Sequence, residues 1–230
     1  MVDAAPAPDE LMAMAYLSMA IGSGMNILVS GEGRKALLAS LHSLVPRHSS
    51  VLTQSDYAGF GCSNTTRAIA HSGIGVLKAA EGMMPDVLVM ELGNAREARR
   101  AFSLAREGMG LIVGMPLRGG PAARQLGRIL NPNRIGALDV HVRCDQGRIS
   151  SITEYRWLQN AELDSTEYRD IAAGYSNSII FHNGRFTDRI GESKLASRLF
   201  SSRLMGKEQF IGALHMAADE LSATAGISTI

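Results

Sequence analysis

Short apolar runs alternate with segments of helical spacing along the first two thirds of the chain. Asn26–Ser30 has the length of a buried strand, and the apolar residues of Arg34–Leu44 recur every three or four positions, as on the buried face of a helix. Gly31 and Gly33 mark a tight turn between these two segments. Before them, Asp9–Ile21 is rich in Leu, Met and Ala and ends at a glycine, which predicts a first helix.

The same alternation continues to about residue 130. It predicts a strand at 51–53, a helix within 65–82, a strand at 87–90, a helix at 95–107, a strand at 111–113 and a helix near 121–130. Strands that alternate with helices are joined by crossover connections, so the sheet should be mostly parallel and covered on both faces. The pattern therefore predicts an α/β fold.

The last third of the chain has a different pattern. Ala137–Arg143 and Ile149–Tyr155 flank the turn sequence Asp145-Gln146-Gly147, which predicts an antiparallel hairpin at the edge of the sheet. Beyond it the chain becomes polar and helical, with 193–204 and 207–221 as the clearest helices. We therefore divide the chain into an α/β domain, residues 1–158, and a small, mainly helical C-terminal part, residues 159–230.

Composition narrows the functional classes. The chain of 230 residues is 46% hydrophobic and has a formal net charge of +1, so it can bury a sizeable core but has no overall field that attracts nucleic acid. The two cysteines, Cys62 and Cys144, lie in no paired motif, and no residues have metal-ligand spacing. The apolar stretch Leu11–Ile21 is too short to cross a bilayer. We expect a cytoplasmic protein without a disulfide or a metal.

Two features of the sequence suggest a site that could bind an anion and a metal ion. A strand, a glycine turn and a helix create an anion site, because free backbone N–H groups converge at the start of the helix, here after Gly31 and Gly33. The apolar run 84–90 ends in Glu91, and a carboxylate at the end of such a strand can hold magnesium or its water beside a bound phosphate.

In their order along the chain, these segments resemble the C-terminal motor domain of type II and type IV secretion ATPases, especially the archaeal members that drive pili and the archaellum. The similar segments are Leu11–Ile21, Asn26–Ser30, Leu37–Pro46, Pro85–Glu91 and Phe181–Arg185. The resemblance implies a RecA-like P-loop fold in which Gly31, Glu32, Gly33, Arg34 and Lys35 form a degenerate phosphate loop. It also implies that Glu91 is the Walker B-like acid, and that Asp56 is the retained half of an acidic pair.

The chain departs from the family at the residues that hold nucleotide. A Walker A loop reads G-x-x-x-x-G-K-[ST], but a single residue separates Gly31 from Gly33. Aligning Arg34 with the motif lysine puts Lys35 at the hydroxyl position, and aligning Lys35 with it puts Ala36 there, so neither alignment supplies a magnesium ligand. Ser55 and Pro116 replace two further polar residues of the family.

A carboxylate within an anion site repels phosphate, which suggests a specific role for Glu32. We hypothesise that its side chain lies near the start of the following helix as an internal substitute for phosphate. For Glu91 we favour a structural role over catalysis, because its expected partners are missing. On these grounds no residue is assigned as catalytic.

The sequence therefore predicts an inactive relative of the secretion ATPases that acts as a scaffold or regulator. Two alternatives remain open, namely a divergent but active ATPase of the same family and a module that binds a small anion. We expect no cofactor, and ATP with magnesium only under the first alternative. The partners implied by the resemblance are further copies of the chain, an active paralogous motor ATPase and a membrane platform protein, which would place the protein at the inner face of the membrane.

Overall fold

The structure of the protein is a computed structural model that describes residues 8–54, 66–69, 72–117, 122–130, 136–157, 175–199 and 207–227. The described helices are α1 (Pro8–Gly22), α2 (Arg34–Ser43), α3 (Gly73–Met83), α4 (Ala95–Arg106), α5 (Ala122–Ile129), α6 (Lys194–Leu199) and α7 (Lys207–Ile227), with a short 3-10 helix at Asp188–Glu192. The strands are β1 (Ile27–Gly31), β2 (Val51–Gln54), β3 (Thr66–Ile69), β4 (Val87–Glu91), β5 (Gly110–Gly114), β6 (Val140–Asp145), β7 (Arg148–Trp157), β8 (Tyr175–His182) and β9 (Arg185–Phe186).

All of these strands form one sheet in the order β3-β2-β4-β5-β1-β6-β7-β8-β9. The pairs from β3 to β6 are parallel, and the pairs from β6 to β9 are antiparallel. The predicted fold class is therefore confirmed: the chain has a mostly parallel sheet with an antiparallel edge and C-terminal helices, consistent with a RecA-like fold. Strand β5 lies between β1 and β4, which sets the spacing of the candidate site.

Helices cover both faces of the sheet, and on each face they pack over a separate apolar cluster. On one face α1, α2 and α7 pack through side chains such as Leu17, Leu38 and Phe210. On the other face α3, α4 and α5 pack through side chains such as Phe102 and Leu126. Of the helices in the described ranges, none is long and apolar enough to cross a membrane.

The sheet departs from the predicted one in two places. The helix predicted within 65–82 is present as α3 from Gly73, and strand β3, which was not predicted, precedes it. The predicted hairpin is present as β6–β7, but β8 and β9 extend the sheet beyond it. The division of the chain near residue 158 stays a prediction; among the described residues, Phe181 and Phe210 pack in the same apolar cluster as side chains of α1.

A buried carboxylate ties the C-terminal segment to the sheet. Glu154 on β7 is 2% exposed, and its Oε1 accepts hydrogen bonds from the Tyr16 hydroxyl at 2.6 Å and the Ser193 hydroxyl at 2.6 Å. Burial, followed by the charge of Glu154, raises the pKa of Tyr16 well above its ordinary value, so the phenol remains a donor. The Ser193 oxygen in turn accepts from the backbone N–H of Leu195 at 3.1 Å, which caps α6.

We predict that Ser193→Ala destabilises the protein, because it removes the cap of α6 and one donor to a buried carboxylate. The expected loss in the free energy of unfolding is about 1–3 kcal/mol. Urea unfolding at neutral pH measures it, with Ser197→Ala as the matched control. Ser197 is an exposed serine on the same helix. An equal effect of the two substitutions would show that Glu154 does not depend on Ser193.

Candidate functional site

The candidate site lies at the carboxyl edge of the parallel strands, where β1 leads into α2 and β4 ends. Gly114 of β5 is paired in register with both Val29 of β1 and Glu91 of β4, so one strand separates Glu91 from the glycine turn. Helix α2 begins at Arg34, directly after that turn. The fold thereby brings Glu91 opposite the first turn of α2.

Glu91 forms ion pairs with the first two residues of α2. Its Oε1 lies 2.8 Å from Nε of Arg34, and its Oε2 lies 3.5 Å from Nζ of Lys35. The Arg34 Nε and Glu91 Oε1 atoms are shielded from solvent, and neither has an aligned hydrogen bond within the described part of the chain. The contact is therefore mainly Coulombic, and burial reduces its screening.

The position of this carboxylate compensates an unfavourable feature of α2. Arg34 and Lys35 place two positive charges in the first turn, where the helix dipole disfavours cations. A carboxylate that faces both side chains offsets that cost. Glu91 thus gives both cations at the start of α2 an anionic partner from within the chain.

Gln54, at the end of β2, holds the backbone at Glu91. Its side-chain Oε1 accepts a hydrogen bond from the backbone N–H of Glu91 at 2.9 Å. The predicted second acid, Asp56, and its neighbour Ser55 lie outside the described residues. Within the described ranges no group of three or more His, Cys, Asp and Glu side chains is arranged to hold a metal ion.

The two glycines of the turn are needed by the neighbouring hairpin. Gly31 has a φ of +105°, and a Cβ built on it would lie 1.9 Å from the carbonyl oxygen of Cys144 on β6. Gly33 has a φ of +76°, and its Cβ would lie 2.2 Å from the backbone nitrogen of Gly147 in the β6–β7 turn. The hairpin backbone therefore packs directly on the glycine turn, at distances that only glycine permits.

Glu32 does not have the contacts that the sequence hypothesis gives it. Its side chain is exposed, and no hydrogen bond joins its carboxylate to another of the described residues. Its backbone carbonyl accepts instead from the N–H of Gly147 at 3.1 Å. The hairpin thus bonds to the main chain of Glu32, while the carboxylate paired with the first residues of α2 is that of Glu91.

A buried polar pair beside β1 was not assigned a role from the sequence. The Ser30 hydroxyl lies 2.7 Å from Nε2 of His141, and both side chains are less than 10% exposed. Burial, and then the charge of Arg143, lowers the pKa of His141 from 6.5 to about 4. The imidazole is therefore neutral at pH 7 and is a weak base, which favours a structural role in joining β1 to β6.

Comparisons with known proteins find similarity among solved structures only. No family model matches the sequence, and no curated protein matches it. Among solved structures, the chain is similar to the VirB11 ATPase of the Brucella suis type IV secretion system, crystallised in complex with sulphate. The two are 19% identical, with a TM-score of 0.47, and the match covers 64% of this chain and 58% of that one.

We predict that Gly31→Ala destabilises the protein strongly, because the added methyl group would collide with a backbone oxygen that cannot rotate away. The expected loss is at least about 2 kcal/mol in the free energy of unfolding. Gly22→Ala is the matched control, since a Cβ at Gly22 meets nothing within 4 Å. Urea unfolding of both variants measures the difference. A Gly31→Ala protein as stable as wild type would contradict the close packing of the hairpin.

We also predict that the neutral His141 makes stability depend on pH between about 6.5 and 4. The unfolded chain binds a proton at His141 in this range and the folded chain does not, so the contribution is present above pH 6.5 and is lost as pH falls towards 4. The loss should be on the order of 3 kcal/mol.

Chemical denaturation across this pH range tests the prediction with two variants. His141→Gln should flatten the dependence, whereas the matched control His182→Gln, at an exposed histidine, should keep the wild-type slope. An unchanged slope in His141→Gln would contradict the assignment.

Proposed function

We propose that this chain is a relative of the secretion motor ATPases that does not hydrolyse ATP and acts as a scaffold or regulator. The observation that carries the proposal is the pairing of the Glu91 carboxylate with both cations at the start of α2. A Walker B-like acid that is neutralised in this way is occupied by protein groups, and so are the two candidate phosphate-binding cations.

The glycine turn gives independent support. A phosphate loop needs several backbone N–H groups directed at one point, and its glycines allow the chain to wrap around the ligand. Here both glycines serve the packing of the β6–β7 hairpin, whose Gly147 N–H bonds to the carbonyl of Glu32. A turn fixed by its neighbour in this manner has little freedom to open around a triphosphate.

The residues in the first turn of α2 also argue against binding of magnesium with nucleotide. Magnesium bound to nucleotide takes a hydroxyl ligand from the residue after the motif lysine, and the two alignments offer Lys35 or Ala36 at that position. An ammonium group repels the ion, and a methyl group cannot coordinate it. The scaffold or regulatory role and its partners, an active motor ATPase or its membrane platform, follow from the family resemblance and belong to the proposal.

We predict that the protein releases no phosphate from ATP in the presence of magnesium, and that Glu91→Gln leaves this result unchanged. The substitution should instead lower the free energy of unfolding by about 1–2 kcal/mol, because it leaves the shielded Arg34 nitrogen without its counter-charge. Steady-state phosphate release and urea unfolding of the same preparations measure the two effects. Glu192→Gln, at an exposed glutamate, is the matched control.

Three outcomes separate the proposal from its alternatives. Phosphate release that Glu91→Gln abolishes and Glu192→Gln retains would identify an active, divergent ATPase. Thermal stabilisation by inorganic phosphate alone, without turnover, would identify a small-anion module. A loss of stability in Glu91→Gln alone, with no turnover in any variant, is the result that the proposal expects, since removal of a catalytic acid commonly leaves stability unchanged or raises it.

A further inference from the structure

Arginines line a groove between α3 and α4, on the face of the sheet opposite α2. Arg96, Arg99 and Arg100 line it with Glu81, Ser103, Leu104 and Glu107, around a volume of about 430 Å³. We call it the arginine groove. It shares no residue with the site at Glu91.

One of the three arginines is held by the opposite wall of the groove. Nε and Nη2 of Arg100 donate to the two carboxylate oxygens of Glu81 on α3, a fork that fixes both side chains. The bond lowers the pKa of Glu81 and raises that of Arg100, so both are charged at neutral pH. This pair joins α4 to α3 across the groove and neutralises the charge of Arg100.

Arg96 and Arg99 have no such partner. Both are exposed, and neither guanidinium is bonded to a carboxylate among the described residues. Arg96 lies in the first turn of α4, where the helix dipole disfavours a cation, and it stands one turn from Arg99 and Arg100. Glu97 also lies in the first turn of α4 and offsets part of this cost, but its carboxylate accepts from the backbone N–H of Gly93 at 2.7 Å and forms no ion pair with Arg96 or Arg99. Both guanidinium groups therefore remain available to a partner at the surface.

We propose that the arginine groove binds an acidic segment of a partner protein. Two free guanidinium groups three residues apart on one helix face match carboxylates that are spaced by one helical turn on the partner. The groove walls would hold such a segment between α3 and α4. The interaction would give Arg96 and Arg99 the ion-pair partners that the described residues do not provide.

The charges around the groove favour a protein over a polyanion. Glu81 and Glu107 line it beside the arginines, and the chain as a whole has a net charge of only +1. A nucleic acid or an anionic bilayer presents a continuous negative surface that these carboxylates would repel, and binding to it usually needs many unpaired cations. A peptide can instead place its carboxylates at Arg96 and Arg99 alone.

The test uses a fluorescein-labelled peptide of alanine and glutamate, with the glutamates three and four positions apart, and measures fluorescence anisotropy. The double variant Arg96→Gln/Arg99→Gln should weaken binding by about tenfold or more, the effect of losing at least one charge-assisted contact. The matched control Arg185→Gln/Arg189→Gln removes two exposed arginines elsewhere and should leave the affinity unchanged. Glu81→Gln, which frees Arg100, should strengthen binding.

The outcomes are distinct. Equal weakening in both double variants, or no binding of the peptide, would overturn the proposal. So would a preference for phosphatidylserine vesicles or single-stranded DNA over the peptide, because it would identify a different class of partner. The arginine groove shares no residue with the site at Glu91, so these substitutions should not change the measured release of phosphate from ATP. Each proposal can therefore be contradicted without affecting the other. The melting temperature of the Arg96→Gln/Arg99→Gln variant should be no lower than that of the wild type, because the substitutions remove charge repulsion between arginines of α4.

Discussion

The contact between the Arg34 guanidinium and the Glu91 carboxylate is the interaction on which the account of this protein depends. It joins the start of α2 to the end of β4 across the intervening strand β5, and its central atoms are shielded from solvent. At that depth a single charge is costly, whereas an opposed pair is tolerated. The pair therefore lies at the edge of the sheet where α/β folds commonly bind ligands, and it gives the two cations at the start of α2 a counter-charge from within the chain.

The glycine turn and the hairpin form the second half of the same arrangement. Gly31 is in register with Cys144, so the β1–β6 ladder continues into the turn, and the backbone of Gly147 closes over Gly33. A phosphate loop and this turn both require glycine, but different groups pack against the glycines. In a phosphate loop that group is the bound ligand, and in this protein it is the main chain of β6 and β7.

Much of the parallel sheet could be predicted because its strands and helices carry local signals. The apolar run at Ile27–Gly31, the helical spacing after Arg34 and the turn at Gln146-Gly147 each occur within a few adjacent residues. Strand β3 has only four residues and lies in a segment of helical composition, so its strand pattern could not be distinguished from that of a helix.

The candidate site could be predicted only in part. The sequence placed Glu91 at the end of a strand and two cations at the start of a helix. It did not predict the contact between them, because that contact depends on the order of the strands in the sheet. The backbone bond of Glu32 could not be predicted either, because the hairpin turn whose Gly147 N–H donates to its carbonyl lies far away along the chain.

A crystal structure obtained with a non-hydrolysable ATP analogue and magnesium would show whether the start of α2 binds a triphosphate. We predict that Glu91 remains paired with Arg34 and Lys35, that the hairpin still lies on Gly31 and Gly33, and that no triphosphate is bound at the start of α2. A triphosphate seated there with its magnesium ion, and Glu91 displaced from Arg34, would contradict this prediction.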